Sequence, residues 1–319
     1  MKLRFFVIAY GEYYVGLYER IAVRSLTQTK NKAAIPIDAI VSVYSDAEFM
    51  PRVAAISERL GIVEPHVLPL SENAYDTQNR AFIEEVGRCV REDAALVIVN
   101  PDCFWGDGSL ANLLAIAGEQ NVCVASPHVR VDRDKFLSLL GWSVTRDELR
   151  PGLTIDDVTA IHVFKGGDPI DVPNPDLVTL AMQTLHQSWI DADVSKERSN
   201  TYHTGIAIRR IGNGLHAVSH LQPTVFFARL NARDYGFFAE HPQARGLWDH
   251  AWPATLIEQN RYRVVASSDA VFIAELTDAV THNTELRIVD PKKPDDFFRD
   301  APHITANRNI VGIWREASV

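Results

Sequence analysis

Two aspartates, Asp102 and Asp107, lie in the text PDCFWGDGSL directly after an apolar run from Ala94 to Asn100. Carboxylates at the C-terminal edge of a parallel strand are where α/β proteins usually keep a metal or a phosphate-bearing ligand. Two acidic side chains on one short loop can grip a hard cation such as Mg²⁺ or Mn²⁺ through oxygen, and the cation can then neutralise a diphosphate. Their separation demands a looped arrangement. For Asp107 the competing assignment is a turn with Gly108 that caps a helix opening near Ser109, because Asp, Gly and Ser are turn and N-cap residues. Asp102 follows a buried strand and a proline, an address that favours chemistry.

Other polar residues share that address. The first apolar run ends in Tyr10, Gly11 and Glu12, where glycine lets backbone approach a ligand and an aromatic ring can stack on a base. The ends of the first and fourth strands are neighbours in many open sheets. Asp46 closes the second run and could bond a base or ribose, or cap a helix. In the second half, His203 and His220 carry imidazoles that could complete a metal shell or act as a base near neutral pH. Asp269 stands in the run SSD before an apolar strand and offers a further carboxylate, with a turn cap as its plainer role. Arg80, with Arg24, Arg209 and Arg210, could contact phosphates, although a surface arginine usually only solvates.

The elements that must position these residues follow from periodicity. Strands are expected at Leu3 to Ala9, Asp38 to Tyr44, Val63 to Leu70, Ala94 to Asn100 and Asn121 to Ala125. Helices are expected at Tyr13 to Thr29, Glu48 to Leu60, Asp76 to Arg91 and after Ser109. Such alternation builds an α/β fold with a mostly parallel central sheet and helices on both faces. Beyond Ser126 the alternation fades into a mixed α+β second half. Helical periodicity returns at Asp132 to Leu140 and Pro175 to Trp189. Strand-like runs follow at Gly205 to Ile211, Gly214 to Val218, Thr224 to Leu230, Val264 to Ala266 and Val271 to Glu275. The patch Val289 to Pro294 and the polar tail read as a lid, linker or oligomer arm. The expected division is residues 1–126 as an α/β half and 127–319 as a second half with a C-terminal extension, joined in one continuous unit.

Composition excludes several classes. With 319 residues and 46% hydrophobic content the chain can bury a large core. A net charge of −9 without clustered Lys and Arg argues against a nucleic-acid binder. Cys89, Cys103 and Cys123 lack metal-type spacing and read as buried or half-buried thiols. The basic and then apolar N-terminus lacks a cleavage site and reads as a first strand. No segment is long enough to span a membrane, so cytoplasmic residence is the default expectation. There is no Walker loop, no G-x-G-x-x-G after the first strand, no G-x-S-x-G elbow and no H-E-x-x-H.

The segments VIAYGEYY, ERIAVRSL and ALVIVNPDCFWGDGSL, and more faintly HAVSHLQPTVFF and SSDAVFIAEL, resemble bacterial A-type glycosyltransferases of the nucleotide-diphospho-sugar transferase fold. The resemblance covers most of the chain at low specificity. It implies that Tyr10, Gly11, Glu12 and Asp46 face the nucleotide. It also implies that Asp102 and Asp107 face a Mn²⁺ or Mg²⁺ ion on the diphosphate. One departure is plain: the family's acidic motif has two aspartates one residue apart, whereas here Asp102 and Cys103 are followed by Phe104. Three arrangements stay open: Asp102 with His203 or His220, a span from Asp102 to Asp107, or no metal.

What the resemblance implies is transfer of a sugar from a nucleotide diphosphate donor to a glycan or small-molecule acceptor, with Asp269 or His220 as the base if the enzyme inverts. The alternatives are a non-catalytic nucleotide-sugar or carbohydrate-binding protein or scaffold, and a metal-dependent hydrolase. A homodimer is the base-rate expectation.

Overall fold

The computed structural model describes residues 1–68, 74–118, 120–126, 129–140, 206–212, 215–220, 224–242, 252–265, 270–277 and 312–315. The first strand, β1 (Lys2–Ile8), alternates strictly. Leu3, Phe5 and Val7 enter one core, and Arg4 and Phe6 point to the other face. Period-two alternation of this kind sends successive side chains to opposite sides of a sheet. Both sides are covered here, so both are buried.

From β1 the chain enters α1 (Gly11–Leu17), continues through a π-helical stretch Tyr18–Val23 into α2 (Arg24–Leu26), and turns into α3 (Thr29–Ala34). Then come β2 (Ile40–Ser45), α4 (Met50–Ser57), β3 (Ile62–Val67), α5 (Ala74–Glu92) and β4 (Ala94–Val99). β5 (Cys103–Trp105), α6 (Ser109–Ala117), β6 (Cys123–Ser126), β7 (Val129–Asp132) and α7 (Arg133–Leu140) follow. The second half supplies β8 (Ile206–Gly212), β9 (Leu215–His220), β10 (Thr224–Arg229), α8 (Ala232–Glu240), α9 (Trp252–Glu258), β11 (Tyr262–Val264), β12 (Ile273–Thr277) and β13 (Gly312–Arg315).

Seven strands form the central sheet in the order β11-β6-β10-β4-β1-β2-β3. β1 runs parallel to β2 and β4, β2 parallel to β3, and β11 parallel to β6, while β10 is antiparallel to both its neighbours. The α/β expectation with a mostly parallel sheet therefore holds. β10 and β11, from the second half, complete the sheet begun by residues 1–126. Two smaller sheets have the orders β5-β12-β7 and β13-β9-β8, their strands interleaved in sequence with those of the central sheet.

One core layer packs α1, the π-helical stretch, α4 and α6 against the sheet through Val15, Tyr18, Val53 and Leu110. The opposite layer packs α5, α8 and α9 through Phe82, Val86, Phe238 and Trp252. The second layer also encloses charge. Arg4 and Glu85 are both fully buried, and Arg4 Nε donates to Glu85 Oε1 at 2.6 Å. Ser42 and Tyr44 hydroxyls donate to the same carboxylate at 2.7 and 3.0 Å. Glu64 and Glu92 complete the shell of Arg4, so the buried cation is fully paired, as a low-dielectric interior requires.

β3 is one edge of the sheet, opposite β11. Its N–H groups at Ile62 and Leu68 donate to Ala39 and Ser45 on the β2 side, so the alternating Pro65 occupies an outward-facing position. Cys89, Cys103 and Cys123 are buried free thiols, as their spacing suggested, and burial pushes Cys89 and Cys123 far above the ordinary thiol range. Among the described residues no helix is long and apolar enough to cross a membrane.

The short strands β5 and β7 were not evident in the sequence, nor were α3, α8 and α9. The expected helix over Pro175 to Trp189 lies outside the described residues, as does the patch Val289 to Pro294. Part of the polar tail is a strand: β13 pairs with β9 through Trp314 and His216.

Candidate functional site

The parallel strands fix where chemistry can gather. Val7 pairs with Val99, so Tyr10 and Asp102 leave the same edge of the sheet the same distance beyond that pair. Ala9 extends the pairing by donating to the Tyr44 carbonyl at 3.0 Å, which carries the end of β2 to the same edge. Gly11 then opens α1 with φ +67°, a conformation that glycine adopts without a Cβ penalty.

Asp46 holds this turn. One carboxylate oxygen accepts from the Gly11 N–H at 2.9 Å and the other from the Phe49 N–H at 2.9 Å. It therefore ties the β1 turn to the segment leading into α4, whose N-cap is Phe49 and not the Asp46 that the capping alternative named. Glu12 points outward: Arg52 bridges Glu19 and Glu12 at 2.8 and 2.7 Å, and these bonds raise the guanidinium above its ordinary value.

Asp102 is half-buried, and its carbonyl accepts from Leu276 N at 2.9 Å. Antiparallel pairing of β12 with β5 aligns Glu275 with Cys103, which brings a second carboxylate-bearing residue beside the Asp102 loop. Tyr14 reads both. Burial, then the electrostatic influence of Asp102, Tyr10, Tyr13 and Glu275, push its phenol up to about 12. The Tyr14 ring lies 5.7 Å from Tyr10 and 5.2 Å from Tyr13, an aromatic cluster with Tyr14 still 40% exposed. Arg133 approaches from α7. It is 2% exposed, donates to the Tyr13 hydroxyl at 3.2 Å and pairs with Asp134 at 3.0 Å. The edge thus combines an aromatic shelf, two acidic residues and a buried cation. Tyr13, Tyr14, Glu275 and Arg133 were not singled out by the sequence. The repeated tyrosines of GEYY were a usable signal, whereas Glu275 and Arg133 arrive through long-range strand pairing.

Asp107 sits elsewhere. Its Oδ1 accepts from the backbone N–H groups of Lys30 and Asn31 at 2.8 and 3.0 Å, so it caps α3, a helix distant in sequence. The Asn31 side chain returns the contact, accepting from Leu110 N at 2.9 Å in the first turn of α6 and donating to the Gly106 carbonyl at 2.9 Å. The capping reading was right in kind, but the helix capped is not the one that follows Asp107. Gly108 begins α6 with φ +87°.

Arg80 is exposed on α5, in a surface groove with Tyr235 of α8, and no residue of the Tyr10 and Asp102 edge lines that groove. His220 closes β9, paired with Ile206, and nothing is described of its side chain. His203 and Asp269 lie outside the described residues. Among the described residues no three His, Cys, Asp or Glu side chains gather to hold a metal ion. With Asp107 engaged on α3, a pairing of Asp102 and Asp107 on one cation gains no support from this geometry.

No protein-family model matches the chain, and no curated protein matches it. Among solved structures the chain is similar to TarS of S. aureus, with a TM-score of 0.30 and 16% identity, over 41% of this chain and 22% of that one. So slight an overlap carries no conclusion about chemistry.

Proposed function

We propose that the chain is a glycosyltransferase that moves a sugar from a nucleotide diphosphate donor to a glycan or small-molecule acceptor. The observation that carries this reading is the convergence of Tyr10, Tyr13 and Tyr14 with Asp102 and Glu275 at the C-terminal edge of β1 and β4. Open α/β sheets bind nucleotides at that edge. An aromatic shelf takes the flat face of a base or sugar, and carboxylates accept hydrogen bonds from sugar hydroxyls.

In the reaction an acceptor hydroxyl attacks the anomeric carbon as the bond to the diphosphate breaks. Asp102 and Glu275 face the positive charge that builds on the sugar, and Arg133 supplies positive charge on the leaving-group side. The acceptor proton passes to a base if configuration inverts, and Asp269 and His220 are the proposed bases. His203 is the proposed imidazole partner of Asp102 if a Mn²⁺ or Mg²⁺ ion is used. Bound there, such an ion would neutralise charge on the leaving diphosphate.

The test is a thermal-shift screen against UDP, GDP, CMP and dTDP, each with and without Mn²⁺. A ligand of the native state raises the melting temperature by mass action. One nucleotide should raise it, and Asp102→Asn should abolish transfer from the matching nucleotide sugar while leaving the fold intact. No shift with any nucleotide would overturn the donor site. A second reading, a nucleotide-sugar-binding protein without transfer, is favoured by the engagement of Asp107 on α3. It predicts nucleotide binding without metal dependence, unchanged by Asp102→Asn and without turnover.

A further inference from the structure

We propose that the groove between α5 and α8 binds an oligosaccharide that carries carboxylates, at a site separate from the Tyr10 and Asp102 edge. The groove encloses about 420 Å³ and is lined by Arg80, Glu84, Gly87, Arg91, Tyr235 and their apolar neighbours. Arg80, Glu84, Gly87 and Arg91 recur at the spacing of one helical stripe, so the backbone positions of the two arginines lie about 16 Å apart along the α5 axis, with the Arg91 guanidinium reaching back towards Gly87.

Neither arginine has an ion pair or hydrogen bond among the described residues, in a chain whose net charge is −9. Glu84 is engaged by Arg88 at 2.5 Å, which leaves the groove with an excess of positive charge. A guanidinium without a carboxylate matches a carboxylate ligand in two-pronged geometry. Tyr235 adds an apolar ring, 41% exposed.

Gly87 joins these parts. A Cβ there would meet Tyr235 Cε2 at 3.0 Å and Arg91 Nη1 at 3.2 Å, so the absent side chain is what lets ring and guanidinium close over the helix. Glycine inside a helix is disfavoured relative to alanine. The spacing selects the ligand. A nucleotide gathers its charge at one end and would engage one arginine. Charges repeated along a chain reach both, with a sugar ring between them on Tyr235.

The proposal does not depend on sugar transfer. Its test is calorimetric titration of the full chain with an oligogalacturonate, with a neutral malto-oligosaccharide of equal length and with UDP. The acidic chain should bind, weaken as salt is raised, and lose about tenfold or more in affinity in an Arg80→Ala/Arg91→Ala variant. Tyr235→Ala should weaken it as well, and all variants should keep the wild-type melting temperature. If the double variant melts early, Arg80→Gln alone replaces it. Absence of binding, equal binding of the neutral chain, or affinity unchanged by the substitutions would overturn the proposal. Loss of UDP binding in the same variants would also overturn it, in favour of a nucleotide site.

Discussion

Asn31 and Asp107 cap each other's helices. Asp107 accepts from the first turn of α3 and Asn31 from the first turn of α6, so two helix starts separated in sequence are closed by one exchange. An unfilled helix start leaves N–H groups without partners. Asp107→Ala and Asn31→Ala should each cost about 1 to 2 kcal/mol in urea unfolding. The two losses should also fail to add, with a coupling of at least about 0.5 kcal/mol in the double-mutant cycle. Strict additivity would show that the helices are held by something else.

Glu85 answers the charge of Arg4 inside the second core layer. Glu85→Gln keeps the volume but removes that charge and leaves Ser42 and Tyr44 hydroxyls facing a weaker acceptor. A loss of about 3 kcal/mol is expected, the usual result of breaking a buried pair from one side. Denaturant midpoints of wild type and variant measure it, and equal midpoints would mean that Glu64 and Glu92 suffice for Arg4.

Glu92 makes part of this stability pH-dependent. Burial alone would raise its carboxyl, but the Lys2 hydrogen bond and the charges of Arg4 and Lys2 outweigh that, and the group sits below its ordinary value. A depressed carboxylate adds stability that is complete above the unfolded pKa, about 4.3, and is lost as pH falls through the lower folded value. Glu92→Gln should therefore melt earlier than wild type at pH 7, and the gap should close in acid. A gap that stays constant down to pH 2 would contradict the linkage.

Tyr14 reports the charge of Asp102. Its phenol is raised to about 12 by burial first and by Asp102 next, so it is neutral at physiological pH. Replacing Asp102 with Asn removes a negative field that disfavours the phenolate, and the pKa of Tyr14 should fall. Ultraviolet difference titration, with Tyr14→Phe to identify the signal, measures this. An unmoved titration would separate the two residues that the candidate site joins.

The parts legible in the sequence are those that local pattern controls. The alternation of Leu3, Phe5 and Val7 and the runs at Ile40 and Ala94 announce the parallel strands, and the long amphipathic stretch before Ala94 announces α5. The insertion of β10 between β4 and β6 depends on pairing of Phe227 with Val97, across a separation that no periodicity reports. The candidate site divides the same way. Tyr10 and Asp102 were legible because strand ends have an address. Glu275 and Arg133 were not, because β12 and α7 reach that edge only through β5 and β7. Asp46 and Asp107 show the reverse difficulty: a carboxylate at a strand end has the same sequence signature whether it awaits a ligand or holds backbone.

Pro65 has a consequence beyond its own strand. Ile62 and Val67 are each 58% exposed at the margin of the sheet, the kind of apolar edge on which neighbouring molecules can stack into fibrils. A strand arriving from another molecule would find no donor at position 65, midway along that margin, and the zipper of mutual bonds would be broken at its centre. The proline gives the sheet a terminus, and it directs any self-association of the chain towards other surfaces.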